Sequence, residues 1–253
     1  MTQIFLSRRS AFQLAGAALA PALACPAQAA SGQLRALAFD GFTIFDVRAV
    51  SAAVVALFPE QGAVLATAWT NKLFALSWLE TSAGRYSGFD ALADAALMFS
   101  ANALHVTISA GQRRDLVAVF ARLPLWPDAL AALETMRRAG LRLAFLSNLS
   151  APILATAMRE NHLHELMEPP LSTDRVRAFK PSPQAYAMGM EHFALPREAI
   201  GFVAFGGWDA LGASWFGYRT AWINRLRVAA EPLMPAPVRA GPDLGAALAL
   251  AGV

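Results

Sequence analysis

The stretch Leu34-Arg35-Ala36-Leu37-Ala38-Phe39 runs directly into Asp40-Gly41. Its length and apolar character are typical of a buried strand, and the acid and glycine end it abruptly. Further runs share this form and also end in polar residues or glycine. They are 141–146 before Ser147-Asn148, 200–205 before Gly206-Gly207-Trp208-Asp209, and 220–223 before Asn224-Arg225. The pattern indicates buried parallel strands with polar residues at their carboxyl ends.

Helical segments alternate with these strand-like runs. We predict them at 127–139, 151–162, 183–193 and 209–216, and Gly140 and Gly217 stop the first and last of them. Alternation of strands and helices favours a parallel sheet with helices on both faces. The sequence therefore predicts an α/β fold.

Residues 47–125 have a different pattern. Apolar residues such as Leu65, Trp69 and Leu73 recur there at helical spacing, and no strand-like run interrupts them. The pattern predicts a mostly helical insertion after the first strand. Its aromatic residues are expected to belong to the hydrophobic core. They are Trp69, Phe74, Trp78 and Phe89.

The amino-terminal residues 1–29 have the features of an export signal. Arg8-Arg9 precedes an apolar run at 14–23, and Ala27-Gln28-Ala29 follows as a cleavage pattern. The run is too short for a stable membrane anchor. We expect twin-arginine export, cleavage after Ala29 and a periplasmic location. Cys25, the only cysteine, lies in this signal, so the mature chain would have neither a disulfide nor a thiolate nucleophile.

Composition excludes several classes of protein. The 253 residues are 56% hydrophobic and 15% charged, which argues against a disordered chain. The net charge of +3 owes much to the signal, because 19 basic and 18 acidic residues remain without it. We therefore expect no nucleic-acid partner.

Chemistry-bearing residues follow the predicted strands at their carboxyl ends. Asp40, Ser147, Asn148 and Asp209 occupy these positions, and Lys180 precedes a predicted helix. Ligands bind at this edge of open parallel sheets. An ammonium group beside Asp40 would favour its ionised form, which is a competent nucleophile.

These segments resemble haloacid dehalogenases of the L-2-haloacid type, within the haloacid-dehalogenase-like hydrolase superfamily. The resemblance covers residues 34–226. The matching segments are Ala38-Phe39-Asp40 with Phe45-Asp46-Val47; Trp78-Leu79 with Gly84-Arg85-Tyr86; Leu146-Ser147-Asn148; Lys180-Pro181 with Tyr186; and Gly207-Trp208-Asp209-Ala210-Leu211-Gly212-Ala213 through Phe216-Gly217 to Thr220-Ala221-Trp222-Ile223-Asn224-Arg225. It implies a Rossmann-like parallel-sheet core, residues 30–47 and 126–253, with a helical cap domain, residues 48–125, inserted after the first strand.

The resemblance also implies a reaction. Asp40 would displace halide from a 2-haloalkanoic acid with inversion, and water would then hydrolyse the Asp40 ester to release a 2-hydroxy acid. Lys180 would hold the Asp40 carboxylate, and Asp209 would orient Lys180 or the hydrolytic water. No cofactor and no metal are implied, and the histidines form no ligand pattern. A homodimer is expected because family members are often dimeric.

Further residues are expected at the substrate. Ser147 and neighbouring backbone N–H groups resemble a cradle for the substrate carboxylate, with Asn148 beside the leaving atom. Tyr186 would support the polar network, and Trp208 would form a wall of the pocket. Thr43 is a further candidate substrate contact, although its loop is one residue shorter than the family pattern.

The chain also departs from the family pattern. Thr70 follows Trp69 where the family has an arginine, and Arg48 or Lys72 is our candidate for its replacement. Ala204, Phe205 and Gly206 stand where the family has Ser, Ser and Asn, which would weaken the support of Lys180 and Asp209.

These departures leave two alternatives to a dehalogenase. One is an exported family member that binds a small carboxylate without turnover. The other is a magnesium-dependent phosphatase, which is disfavoured because Phe42 stands where such enzymes have an acid that protonates the leaving alkoxide.

Overall fold

The computed structural model of the protein describes residues 32–253, which form one compact unit. The predicted twin-arginine signal, residues 1–29, and Cys25 lie outside the described residues. Among residues 32–253, no helix has both the length and the apolar character needed to cross a bilayer.

A single parallel sheet forms the centre of the unit. Its six strands stand in the order β3-β2-β1-β4-β5-β6, and every neighbouring pair is parallel. The strands are β1 (Ala36–Phe39), β2 (Arg142–Ser147), β3 (Leu171–Ser172), β4 (Ile200–Ala204), β5 (Arg219–Ile223) and β6 (Arg239–Gly241). Since β1 pairs with β2 on one side and β4 on the other, the residues that follow these three strands lie at one edge.

Helices lie between most of the strands and after the last one. They are α1 (Gly41–Ile44), α2 (Arg48–Leu57), α3 (Gly62–Ser82), α4 (Phe89–Ala103), α5 (Ala110–Ala118), α6 (Ala129–Arg138), α7 (Ala151–Glu160), α8 (Pro183–Phe193), α9 (Gly207–Phe216) and α10 (Gly245–Ala251). Short 3₁₀ turns connect several of these elements. The four helices α2 to α5, which follow β1 and α1, form the predicted helical insertion.

Both faces of the sheet are buried. In β1, Leu37 and Phe39 belong to one hydrophobic cluster, whereas Ala36 and Ala38 belong to another. Successive side chains of a strand point to opposite faces, so the two clusters cover opposite sides of the sheet. The first cluster includes residues of α6, α7 and α10, and the second includes residues of α8 and α9. This burial explains why the strands are nearly continuous apolar runs.

The predicted fold class is confirmed: the chain is an α/β protein with a parallel sheet and a helical insertion after β1. The strands β3 and β6 and the helix α10 were not predicted. β3 has only two residues, and β6 has the sequence Arg-Ala-Gly with no apolar run. Edge strands this short leave no periodicity in the sequence. The division into a core and a cap at residues 48 and 125 stays a prediction.

Polar contacts connect the insertion to the rest of the unit. The Tyr86 hydroxyl donates to Asp174 Oδ1 at 2.6 Å, and the Phe179 backbone N–H donates to Thr81 Oγ1 at 3.1 Å. The Tyr86 ring also stacks on Phe179, with 4.6 Å between ring centroids. Because Phe179 precedes Lys180, these contacts position the insertion beside the predicted functional residues.

The ring of Phe145 on β2 provides a test of this packing. It is fully buried and stacks on Phe45, with 5.1 Å between centroids. Truncating such a ring removes its contacts and leaves a cavity, so we expect Phe145→Ala to lower the free energy of unfolding by about 3–5 kcal/mol. Urea unfolding measures this loss. As a control, Phe99→Ala removes a half-exposed ring and should cost under about 1 kcal/mol; equal losses would contradict the packing.

Candidate active site

Asp40 lies where β1 ends and caps the amino terminus of α1. Its Oδ2 atom accepts a hydrogen bond from the Phe42 backbone N–H at 3.1 Å. The other carboxylate oxygen, Oδ1, lies 2.8 Å from Lys180 Nζ. The residue is 8% exposed and borders a cavity. One side-chain oxygen is therefore held by an ammonium group and the other by a backbone donor, at the edge of an enclosed space.

The ammonium group of Lys180 is buried between two carboxylates. Its Nζ atom donates to Asp40 Oδ1 at 2.8 Å and to Asp209 Oδ2 at 2.7 Å. Lys180 is fully buried and Asp209 is 1% exposed. Chain regions 140 residues apart in sequence, from Asp40 to Lys180, thus supply opposite charges to one site. Three charged groups at this depth are tolerable only because each has a partner.

The surroundings change the ionisation of this cluster. Burial alone would lower the pKa of Lys180, but the nearby carboxylates of Asp209 and Asp40 outweigh burial and raise it above its ordinary value. Burial raises the pKa of Asp209 to about 6; the Lys180 ammonium opposes this rise, and the Asp40 carboxylate adds to it. The lysine is therefore cationic at neutral pH, while Asp209 loses its proton well above the usual range of an aspartic acid.

Two polar side chains hold the ends of this cluster. The Asn148 side-chain Oδ1 accepts a hydrogen bond from the Lys180 backbone N–H at 2.8 Å. The Tyr186 hydroxyl donates to Asp209 Oδ1 at 2.7 Å. Burial raises the pKa of Tyr186 well above its ordinary value, so the hydroxyl keeps the proton that it donates. Both oxygens of Asp209 are thus engaged, one by Lys180 and one by Tyr186.

Helix α9, which carries Asp209, packs closely on this cluster. A Cβ atom built on Gly212 would lie 2.6 Å from Pro181 and 2.7 Å from the Tyr186 hydroxyl. Only glycine allows this approach. The small residue therefore brings Asp209, one turn earlier on the helix, within reach of Lys180.

A cavity of about 80 Å³ opens above Asp40. Polar groups come from Asp40, Ser147 and Asn148, and aromatic or apolar groups form the other walls. The lining residues are Asp40, Phe42, Phe74, Phe89, Ser147, Asn148, Leu149, Phe205, Gly206 and Trp208. The cavity therefore has one polar side, at the ends of β1 and β2, and one aromatic side, partly supplied by the insertion.

Seven of the eight predicted site residues fall into two groups. Asp40, Ser147, Asn148 and Trp208 line the cavity. Lys180, Asp209 and Tyr186 form the buried network below it. Asp209 does not border the cavity, so its geometry favours a contact with Lys180 over one with the hydrolytic water.

Two of the predicted substrate contacts do not reach the cavity. Thr43 is fully buried, and its hydroxyl donates to the Asp40 backbone carbonyl at 2.7 Å. That hydrogen bond closes the first turn of α1 and directs the side chain away from substrate. Tyr186 is also fully buried and contacts Asp209 instead. The placement therefore does not support a substrate contact for Thr43 or Tyr186. Thr43 supports the backbone after Asp40, and Tyr186 supports the charged network, as the resemblance implied.

Several lining residues were missed in the sequence. Phe74 and Phe89 both border the cavity. Trp69 and Phe89 also belong to the hydrophobic core, as expected, whereas Phe74 is half-buried and Trp78 is exposed. Phe205 and Gly206 follow β4 directly, so the rule that located Asp40 at a strand end would also have found them. The insertion carries Phe74 and Phe89, and no local pattern indicates how its helices face the sheet.

Neither candidate replacement for the missing cap arginine lines the cavity. Arg48 is ion-paired with Asp46 at 2.6 Å, and Lys72 Nζ lies over the Phe99 ring at 3.7 Å. Thr70 donates its hydroxyl to the Ala66 carbonyl at 2.9 Å. The predicted compensation is therefore not supported by the placement of these residues. Across residues 32–253, no three His, Cys, Asp or Glu side chains gather in a way that could hold a metal ion.

A family model of haloacid dehalogenase-like hydrolases matches residues 29–217. The chain belongs to that family. Haloacetate dehalogenase H-2 of Moraxella sp. (strain B) is 34% identical to this family member over 206 residues, which cover 81% of the chain and 92% of the relative.

Solved structures place this haloacid dehalogenase-like hydrolase beside L-2-haloacid dehalogenases. One crystal structure of an L-2-haloacid dehalogenase is 33% identical in sequence to this protein, with a TM-score of 0.85. The match covers 88% of this chain and 100% of the chain in that structure. The L-2-haloacid dehalogenase of Xanthobacter autotrophicus with chloropropionic acid covalently bound is 27% identical, with a TM-score of 0.79 and coverage of 85% and 98%. The resemblance seen in the sequence is confirmed.

The buried carboxyl of Asp209 predicts a specific pH dependence. Its pKa of about 6 exceeds its ordinary value of 3.8, so the folded protein keeps this proton where the unfolded chain has released it. Its contribution to the free energy of unfolding is complete below the unfolded pKa and is lost as pH rises through about 6. Relative to Asp209→Asn, the native protein should therefore lose stability from about pH 4 to about pH 7. Urea unfolding across this range measures the difference.

The exposed residue Asp115 supplies the control. Asp115→Asn removes a carboxyl group outside the buried cluster, so it should not reproduce the pH-dependent difference that Asp209→Asn shows. The raised pKa would be contradicted if the difference in unfolding free energy between the native protein and Asp209→Asn were constant with pH. It would also be contradicted if the native protein gained stability relative to Asp209→Asn as pH rises.

Proposed function

We propose that this protein is an (S)-2-haloacid dehalogenase, a hydrolase that converts a 2-haloalkanoic acid into a 2-hydroxy acid through an ester of Asp40. The observation that carries the proposal is the Asp40 carboxylate, held by Lys180 Nζ at 2.8 Å at the floor of a largely aromatic cavity. The relatives also support the proposal, because the haloacetate dehalogenase and the L-2-haloacid dehalogenases named above are similar to this protein along most of its chain.

The first step is a displacement at carbon. A carboxylate oxygen of Asp40 forms a bond to C2 of the substrate while the carbon–halogen bond breaks, and the halide leaves with the electron pair. Attack from the side opposite the halogen inverts C2. A halide needs no proton, so the site requires no general acid at Phe42, whose backbone N–H donates to Asp40.

The second step regenerates the carboxylate. Water attacks the carbonyl carbon of the Asp40 ester, the acyl C–O bond breaks, and the 2-hydroxy acid leaves with one proton released. Asp40 then carries an oxygen from water. Lys180 remains hydrogen-bonded to the Asp40 side chain and stabilises negative charge that develops on its oxygen.

The polar side of the cavity suits a substrate carboxylate. Ser147 Oγ accepts a hydrogen bond from the Leu149 backbone N–H at 3.2 Å, which leaves its hydroxyl proton for a ligand. Asn148 uses its Oδ1 atom for Lys180, which leaves its NH₂ group as a donor. The Ser147 hydroxyl would hold the carboxylate and the Asn148 NH₂ group would face the leaving halide, while the aromatic walls exclude bulk water from the displacement.

Replacement of Asp40 tests the proposal. We expect Asp40→Asn to abolish halide release from (S)-2-chloropropanoate, because the amide is a poor nucleophile. Ion chromatography measures the halide. In one turnover in H₂¹⁸O, mass spectrometry should find the label in Asp40 of the native protein and unlabelled oxygen in the product.

The exposed residue Asp115 again provides a matched control, since Asp115→Asn should keep the native rate. Halide release by a well-folded Asp40→Asn would refute Asp40 as the nucleophile. If the native protein binds (S)-2-chloropropanoate without releasing halide, it is a carboxylate binder. Magnesium-stimulated cleavage of an aryl phosphate would favour the phosphatase.

We also propose that the protein is exported by the twin-arginine route and acts in the periplasm. The proposal rests on Arg8-Arg9, the apolar run after them and the Ala27-Gln28-Ala29 pattern. The homodimer stays a prediction from the family resemblance. Trp78, Leu79 and Phe99 of the insertion are exposed apolar side chains that could take part in it.

Replacing both arginines tests the export signal. We expect Arg8→Lys with Arg9→Lys to leave the uncleaved chain in the cytoplasm of a bacterium with twin-arginine transport, because the route reads the arginine pair. Cell fractionation and mass spectrometry of the amino terminus measure this. Arg35→Lys, beyond the signal, should leave a periplasmic chain that begins at Ala30. Unchanged periplasmic yield of the double variant would overturn the route.

A further inference from the structure

A second and larger space lies next to the Asp40 cavity. It is a groove of about 570 Å³ between the helical insertion and the end of the sheet, and most of its lining is apolar. Its lining includes Phe42, Arg48, Thr70, Phe74 and Phe205. No step of the proposed reaction uses this groove.

Three aromatic side chains separate the groove from the Asp40 cavity. Phe42, Phe74 and Phe205 line both spaces. The rings of Phe42 and Phe205 pack edge to face at 5.9 Å, whereas Phe74 packs on Trp208 at 5.3 Å. Among the described residues, no aromatic pair joins Phe74 to either of the other two shared rings. The groove and the cavity are therefore neighbours that share these three rings as a common wall.

The polar and aromatic walls of the cavity would orient a bound substrate. Ser147 and Asn148 occupy the side of the cavity near the strand ends, and the shared phenyl rings occupy another side. A 2-haloacid that places its carboxylate at Ser147 and C2 at Asp40 would direct its apolar substituent toward the rings. The cavity, of about 80 Å³, is much smaller than the groove, of about 570 Å³. A longer substituent would therefore extend past the shared rings toward the groove.

Charge does not oppose an apolar occupant. The charged residue in the groove lining is Arg48, and its guanidinium is ion-paired with Asp46 at 2.6 Å. The Thr70 hydroxyl donates to the Ala66 carbonyl within its own helix. The groove therefore does not require its ligand to carry a second acidic group.

We propose that the groove binds the apolar tail of the substrate, so that the preferred substrates are 2-haloacids with tails of several carbons, or a phenyl ring, beyond C2. The proposal rests on the dehalogenase function proposed above. It makes Thr70, on the groove side of α3, a specificity-determining residue that touches only the tail.

Chain length tests this proposal directly. We compare kcat/KM for halide release from (S)-2-bromopropanoate and (S)-2-bromohexanoate. Burial of one CH₂ group is worth about a fourfold gain, so full burial of three further groups should raise kcat/KM by about sixtyfold. Thr70→Trp places an indole in the groove and should remove most of this gain.

Ala75→Trp provides the matched control. Ala75 is also exposed on α3 but does not line the groove, so this variant should keep the native ratio of the two kcat/KM values. Thermal unfolding of both variants establishes that each is folded. Titration of the halogen-free acids, propanoate and hexanoate, then measures tail binding without turnover.

The outcomes separate the groove from the reaction. Bromopropanoate turnover without a gain for bromohexanoate, or with a gain that Thr70→Trp does not reduce, refutes the groove and leaves the dehalogenase intact. Absence of halide release from both acids refutes the dehalogenase. In that case, the groove proposal is supported if hexanoate binds more tightly than propanoate and if Thr70→Trp weakens hexanoate binding. It is refuted if either result fails.

Discussion

The buried ion triad of Asp40, Lys180 and Asp209 is the constraint on which the rest of the site depends. One ammonium group satisfies two carboxylates at 2.8 and 2.7 Å, almost out of contact with water. Removing one partner from such a group leaves an uncompensated charge, typically at a cost of about 3–5 kcal/mol. The triad therefore ties the end of β1, the segment before α8 and the first turn of α9 to one geometry, and it leaves Asp40 facing the cavity.

The parallel sheet makes this geometry possible. β1 lies between β2 and β4, so Asp40 stands beside the residues that end both neighbours. The strands are buried on both faces, and this holds their ends in place while the following loops carry the polar groups. The insertion completes the site from above: Phe74 and Phe89 supply cavity walls, and Tyr86 stacks beside the segment that contains Lys180. Rigid support and substrate enclosure thus come from different parts of the chain.

The differences between expectation and structure have a common physical origin. Thr43 is a polar residue close to the site, but its hydroxyl donates to the Asp40 carbonyl rather than to a ligand, and the Tyr186 hydroxyl supports Asp209. Conversely, Phe74 lines the cavity and Phe89 belongs to both cavity wall and core, because an apolar cavity wall and an apolar core require the same side chains. Proximity in a motif indicates that a residue belongs to a site, but not the direction in which its side chain points.

The sequence by itself determined the α/β fold and the helical insertion, because these depend on local periodicity. It also indicated the charged cluster, because Asp40 and Asp209 follow apolar strand-like runs, Lys180 precedes a predicted helix, and all three lie in segments that resemble one family. Only the tertiary structure decided which polar groups reach the cavity, which aromatic rings close it, and that a large apolar groove adjoins it. Those features depend on how α3 and α4 pack against the ends of β1 and β4, and packing between elements distant in sequence leaves no local pattern in the chain.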